Sequence, residues 1–308
     1  PHPWAGGLWR LRDSVDYMTT ASMSVLETAV KYRDTLLYNR YQAARDTINQ
    51  FRHQAPYAYV VPATQTDTNE ARLLMQKLML QGIEIRQSTG PVTINGKTYP
   101  ANSWVILMDQ PYAGLVKELF ESQKYPSAIL GGDGKPVDLP YDVTGWTLPM
   151  QMGVTVDEIT IPVTDATRST LQKVEDVSYP TGHILGDGSV FAISHKVNAS
   201  FQVINDTLAQ HGHVSFSNGP VATPQGAEKG AIIITDIDRN TLEGILARRH
   251  VDASAMTTAP EGTAISAPRV GLYRQWGSNI DEGWTRWVIN QYAFPWKSAY
   301  PAAVRKGN

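Results

Sequence analysis

The sequence predicts an α/β chain, an N-terminal helical arm followed by two duplicated α/β halves with largely parallel sheets. Three observations carry that expectation. Tyr57, Ala58, Tyr59, Val60 and Val61 form an apolar run without alternation, the pattern of a strand covered on both faces, as in a parallel sheet. Ala71, Leu74, Leu78 and Gln81 then share one helical face, Gly82 supplies a stop, and Ile83, Glu84, Ile85 and Arg86 alternate as a second strand. Residues 57–88 therefore read as a strand–helix–strand crossover. The same succession returns later: a strand at 190–194, a helix at 201–209 with Asn198 as cap, a stop at Gly212 and a strand at 213–216. Downstream the likeness continues, with strands at 104–108 and 231–235 and helices at 112–121 and 241–249. A tandem duplication, roughly 57–121 and 190–249, is the simplest reading.

Taken in order, residues 1–7 are a turn-rich opening that carries Trp4. Residues 8–55 hold neither proline nor glycine, which permits long helix. Val15, Met18, Ser22, Val25, Ala29, Tyr32 and Leu36 recur at helical spacing, and Tyr41, Ala44, Ile48 and Phe51 continue it. One unbroken rod would be roughly 60 Å long, so a break is expected near Tyr38. Thr68 or Asn69 is expected to cap the first crossover helix. Asn95-Gly96 between β-prone residues predicts a hairpin over 92–107. Residues 122–149, with Gly131, Gly132, Gly134 and four prolines, read as the connection between halves. Residues 154–161 alternate as a strand, 165–178 are polar loop with a little helix, and Gly186-Asp187-Gly188 suggests a hairpin. Residues 251–267, rich in Ala, Ser, Thr, Gly and Pro, read as an interdomain connection. A strand at 269–273 and a helix at 281–292 close the chain. The expected domains are 1–55 (helical arm), 56–149 (first half and linker), 150–267 (second half) and 268–308.

Composition narrows the partners. A net charge of −2 gives no reason to expect nucleic acid or an anionic membrane, and no apolar run approaches the length of a membrane span. The absence of cysteine removes thiolate nucleophiles and cysteine metal sites. The first residue is Pro1, so a processed chain or a piece of a longer one is expected.

Chemistry-bearing patterns are sparse. The seven histidines open no His-x-x-Glu or His-Glu-x-x-His pattern. His211 and His213 could both face a metal from an extended strand, but a helix end followed by a strand start explains them more simply. No Gly-x-Ser-x-Gly turn is present, and Ser194 and His195, as sequence neighbours, are expected on opposite strand faces. The acidic pairs Asp157/Glu158, Asp236/Asp238 and Asp281/Glu282 read as solvated loops or helix first turns. The run 131–136 lacks the Ser/Thr and helix start of a phosphate loop and has proline after its lysine. Sequons at Asn198 and Asn205 fall in or beside a predicted helix. The remaining feature is a C-terminal cluster. Trp276, Trp284, Trp287 and Trp296 lie close in sequence with Arg274, Arg286 and Asp281. It is either a helix packed by its tryptophans or a recognition surface, for which Trp276, Asp281, Trp284, Arg286 and Trp287 are the candidate residues.

Several stretches resemble the non-catalytic part of large bacterial zinc carboxypeptidase-like proteins. The opening from Pro1-His2-Pro3-Trp4 to Leu11-Arg12-Asp13 resembles the segment after that family's catalytic glutamate. Leu26-Glu27-Thr28-Ala29 with Tyr32-Arg33 resembles the helix closing its peptidase domain. The run from Tyr141-Asp142-Val143-Thr144-Gly145-Trp146 to Gly153-Val154 resembles a signature of the following region. Asp281-Glu282-Gly283-Trp284-Thr285-Arg286-Trp287 resembles the start of an appended class I glutamine amidotransferase-like domain. The resemblance implies a secreted or periplasmic metallopeptidase as parent, with zinc in a catalytic domain elsewhere. The family's zinc ligands have no counterpart here, and its catalytic glutamate would precede Pro1.

The expected function is therefore a non-catalytic accessory or scaffold region that partners the missing catalytic domain or other subunits. The alternatives are a module binding a small ligand or peptide between the halves, or a structural subunit with Trp4, Trp9 and the C-terminal tryptophans at the contact.

Overall fold

The computed structural model describes residues 6–122, 147–277 and 279–307. Trp4, the glycine-rich run at 131–136 and the 141–146 part of the family-like signature lie outside the described residues.

The arm is two helices, α1 (Leu11–Lys31) and α2 (Arg33–His53). The break falls at Tyr32 (φ −109°, ψ 17°), earlier than the expected Tyr38. Tyr32 N–H still donates to Thr28 O, and its own carbonyl accepts from Leu36 N–H, so the chain turns with little loss of helical bonding. No proline or glycine marks the spot, which is why composition misplaced it. The second helix buries Phe51 in the first half, and Arg40 lies over the Tyr112 ring at 5.5 Å while donating to its hydroxyl.

The first half runs β1 (Ala58–Val61), α3 (Thr68–Leu80), β2 (Arg86–Ser88), β3 (Val92–Ile94), β4 (Lys97–Tyr99), β5 (Trp104–Leu107), α4 (Ala113–Phe120), α5 (Leu148–Gln151), β6 (Asp157–Ile159), α6 (Asp165–Ser169) and β7 (Leu171–Lys173). Its sheet order is β6-β1-β5-β2-β7. The second half runs β8 (Ile184–Leu185), β9 (Val190–Ile193), α7 (Ala199–Ala209), β10 (His213–Ser217), β11 (Pro220–Thr223), β12 (Gly226–Lys229), β13 (Ile232–Thr235), α8 (Arg239–Arg249), β14 (Ala253–Met256) and β15 (Gly262–Ile265). Its order is β15-β10-β13-β9-β14-β8. Read from β14, five strands (β14-β9-β13-β10-β15) repeat the first sheet strand for strand, with β8 added at one edge.

Both halves are α/β, but the expectation of largely parallel sheets is corrected. Every ladder of the first sheet is antiparallel, and in the second only β8–β14 is parallel. The crossover β1–α3–β2 does join strands running the same way, yet it skips one position. The returning β5 fills that position antiparallel to both. Strand β1 is buried along its whole length because both faces are covered. Helices α3 and α4 pack one face through Leu74, Leu78, Val116 and Phe120. The other face carries the β3–β4 hairpin through Val92, Ile94 and Tyr99. An unalternating apolar run reports two covers, not the direction of the neighbours.

Several boundaries also move. The helix α3 is capped by Asp67, not by Thr68 or Asn69. The Asn95-Gly96 hairpin ends at Tyr99 (Asn95 φ 52°, Gly96 φ 74°), and residues 104–107 leave it for the sheet centre. Strands β8 and β9 flank Gly186-Asp187-Gly188 but do not pair, since β14 lies between them. The supposed connection at 251–267 contains β14 and β15, two strands of the second sheet.

The last unit has β16 (Val270–Tyr273), α9 (Ile280–Gln291), β17 (Trp296–Ala299) and α10 (Pro301–Arg305). Strands β16 and β17 pair parallel as a sheet of their own. The unit leans on α7, where Gln202 Nε2 and Asn205 Nδ2 donate to the C-terminal carbonyls of Gln291 and Tyr292, both at 2.8 Å.

Candidate functional site

Among the described residues, helix α1 carries a long run of exposed large apolar side chains. At 100° per residue, Leu11, Val15, Met18, Val25, Leu26, Ala29 and Val30 fall within an arc about 140° wide, with Asp13, Glu27 and Lys31 on the other side of the helix. An arc that broad is the pattern of a helix lying on a core. Yet no residue of α1 is buried, and Leu11 and Val30 are 82% and 80% exposed. Trp9 stacks tilted on Tyr17 at 5.4 Å and donates its indole N–H to Ser14 Oγ.

The C-terminal candidates divide between two faces. Trp284 and Trp287 meet edge to face at 6.2 Å and 82°, and both are exposed, so they do not pack the helix as the simpler reading had it. Trp276 projects from the loop after β16, 94% exposed. Asp281 sits in the first turn of α9, where Asn279 Oδ1 caps the N–H groups of Asp281 and Glu282. Arg286 turns away from the tryptophan pair. It pairs with Glu282 and lies 5.3 Å over the Trp296 ring.

The catalytic constellations weighed in the sequence fare differently. Ser194 and His195 do not diverge. Both meet the buried Glu228, which accepts from Ser194 Oγ at 3.0 Å and from His195 N–H at 2.9 Å. His195 Nδ1 lies 3.2 Å and Lys196 Nζ 3.4 Å from the same carboxylate. This is an acid, a histidine and a hydroxyl together, but it is not arranged for nucleophilic attack. The serine donates to the acid rather than to the imidazole, is fully buried, and accepts from Lys196 N–H. The trio fastens the β11–β12 hairpin to the end of β9.

His211 sits in left-handed backbone (φ 63°), while His213 Nδ1 is 2.6 Å from Asp236 Oδ2. That hydrogen bond, with a second from Thr235, holds the Asp236 carboxyl below the usual carboxylate range. Among the described residues no three His, Asp or Glu side chains gather as a metal-holding group. Of the acidic pairs, Asp157 bonds Lys97, Asp238 caps α8, and Glu282 pairs with Arg286. The sequon asparagines are engaged: Asn198 Nδ2 donates to Glu70, and Asn205 bonds Tyr292.

The halves meet at their crossover helices. Asp67 Oδ1 accepts from Asn69 and Glu70 N–H at the start of α3, while Oδ2 accepts from Asn198 N–H at the start of α7. Asn69 Nδ2 donates to His250 O, whose ring stacks on Tyr179 at 5.0 Å. A cavity of about 180 Å³ opens here between Glu70, Tyr179, Gln202 and Arg248. Sequence reasoning missed Asp67 because the loop 62–68 offers several capping residues and nothing local ranks them.

Among the described residues no helix is long and apolar enough to cross a membrane. Comparison with family models, with curated proteins and with solved structures finds no match to this chain.

Proposed function

We propose that this chain is a non-catalytic accessory region of a zinc carboxypeptidase-like metallopeptidase, secreted or periplasmic, docked through α1 onto the zinc-bearing domain. One observation carries the reading: α1 has the apolar arc of a core helix and buries none of it. An exposed apolar surface of this kind marks an interaction site. The residues that resemble the closing helix of the peptidase domain, Leu26 to Arg33, lie on that helix or at its end. The two halves behind it present α/β scaffolding, and their polar clusters are consumed in fastening loops and caps.

The test is to add the chain in trans to the isolated zinc domain of the parent protein. Co-elution and a changed peptidase turnover are expected. A Val15→Asp, Leu26→Asp double variant should abolish both while leaving the melting temperature of the chain unaltered. Co-elution undiminished by that variant would refute α1 as the contact.

A further inference from the structure

A second cavity, about 340 Å³, opens on the helix-covered face of the first half, lined by Tyr59, Phe120, Glu121, Met150, Val156 and Glu158 among others. Tyr59 is 2% exposed, and its hydroxyl is buried with no hydrogen-bond partner. Phe120 fixes the ring from the side at 5.0 Å. The β1–β6 register sets Tyr59 directly opposite Glu158, so the two side chains leave the same sheet face. Among the described residues Glu158 has neither a hydrogen bond nor a salt bridge, whereas its neighbour Asp157 is taken by Lys97. Glu121 pairs with Lys117 one turn back in α4. Among the described residues the cavity thus presents two carboxylates, one of them paired with a nearby lysine, beside an unpaired phenol, within walls of Phe, Met, Pro and Val and the hydroxyl residues Ser122 and Thr147.

We propose that this cavity binds a primary alkylammonium group. A buried polar atom without a partner is rare in a native fold and calls for one. An ammonium brings three N–H donors and no acceptor. Glu158 accepts one, the phenol oxygen of Tyr59 accepts another, and the Tyr59 proton turns to a carboxylate. The apolar walls cover the methylenes that follow the nitrogen, as in most small-molecule sites. Burial and the negative charges of Glu158 and Glu121 keep the phenol protonated well above its usual range, so it stays a neutral donor–acceptor. Anions are repelled by the same charges.

The experiment is calorimetric and thermal-shift titration of the whole chain with n-butylammonium chloride. Controls are n-butanol and sodium chloride at matched ionic strength. Saturable binding and stabilisation are expected with the amine alone. Glu158→Gln, a change at an exposed position, should weaken it roughly tenfold or more, since the amide oxygen can still accept but the negative charge that strengthened the bond is gone. Tyr59→Phe should also weaken binding, while raising the melting temperature of the free chain because a stranded hydroxyl is gone. No saturable shift beyond the salt control, an equal shift with n-butanol, a response to magnesium or calcium instead of the amine, or undiminished binding in Glu158→Gln would each overturn the proposal.

Discussion

One carboxylate, that of Asp67, caps α3 and holds the N-cap residue of α7 in the other half. Truncation removes an N-cap and strands the Asn198 N–H in the junction. Asp67→Ala should therefore cost about 2 kcal/mol in urea denaturation; a loss below about 0.5 kcal/mol would mean the junction does not depend on it. Glu228 is the corresponding fastener of the second half. Glu228→Ala leaves Ser194 Oγ and His195 N–H without their acceptor and should cost about 3 kcal/mol. A fluorophosphonate probe should not label Ser194 in the folded chain, and stoichiometric labelling would restore a nucleophilic reading. Buried phenols give a pH signature. Burial and the carboxylate of Asp157 push Tyr99 up to about 12 from 10.0. The fold therefore favours the neutral phenol. That contribution is whole below the unfolded value and is lost as pH climbs from 10.0 toward 12. In the difference between the chain and its Tyr99→Phe variant, the Tyr99 phenolate absorption should arrive with alkaline unfolding, and a Tyr99 difference signal titrating near pH 10 before unfolding would contradict this. None of these residues was legible as a fastener, because each acts on a partner tens of residues away.

At the scale of elements, periodicity served where the period was long and failed where strands were short. The helices α1, α2 and α3 follow their apolar spacing, and the Asn95-Gly96 turn forms where that dipeptide predicts it. The strands β14 and β15 were hidden in a run of Ala, Ser and Thr, whose small side chains carry no pattern. What makes them strands is a neighbour, β9 for one and β10 for the other. Helix α1 poses the sharpest question here, since its pattern is that of a core helix and its surroundings are solvent. Without tertiary packing its amides should exchange far faster than those of β1, β5, β9 and β13. Removing residues 6–31 should move the melting temperature of the halves by less than about 2 °C. A larger drop would mean that α1 already packs against this chain.

At the scale of the molecule, a five-strand sheet and a six-strand sheet that share a five-strand order, each with a crossover helix and a hairpin lid, support a duplication that the sequence suggested through repeated strand–helix–strand spacing. The direction of the sheets was not legible, because a helical crossover fixes the sense of the two strands it joins and says nothing of the strand inserted between them. The contact of Trp284 with Trp287 was not legible, nor that Arg286 faces away from that pair, since Glu282 and Trp296 claim it only in three dimensions. If this chain lends form and contact area to chemistry housed elsewhere, its own zinc content and carboxypeptidase turnover are the decisive quantities. The purified chain should hold no stoichiometric zinc after dialysis against a mild chelator and should release no C-terminal amino acid from peptides. One tightly held zinc per chain, accompanied by carboxypeptidase turnover, would contradict the account.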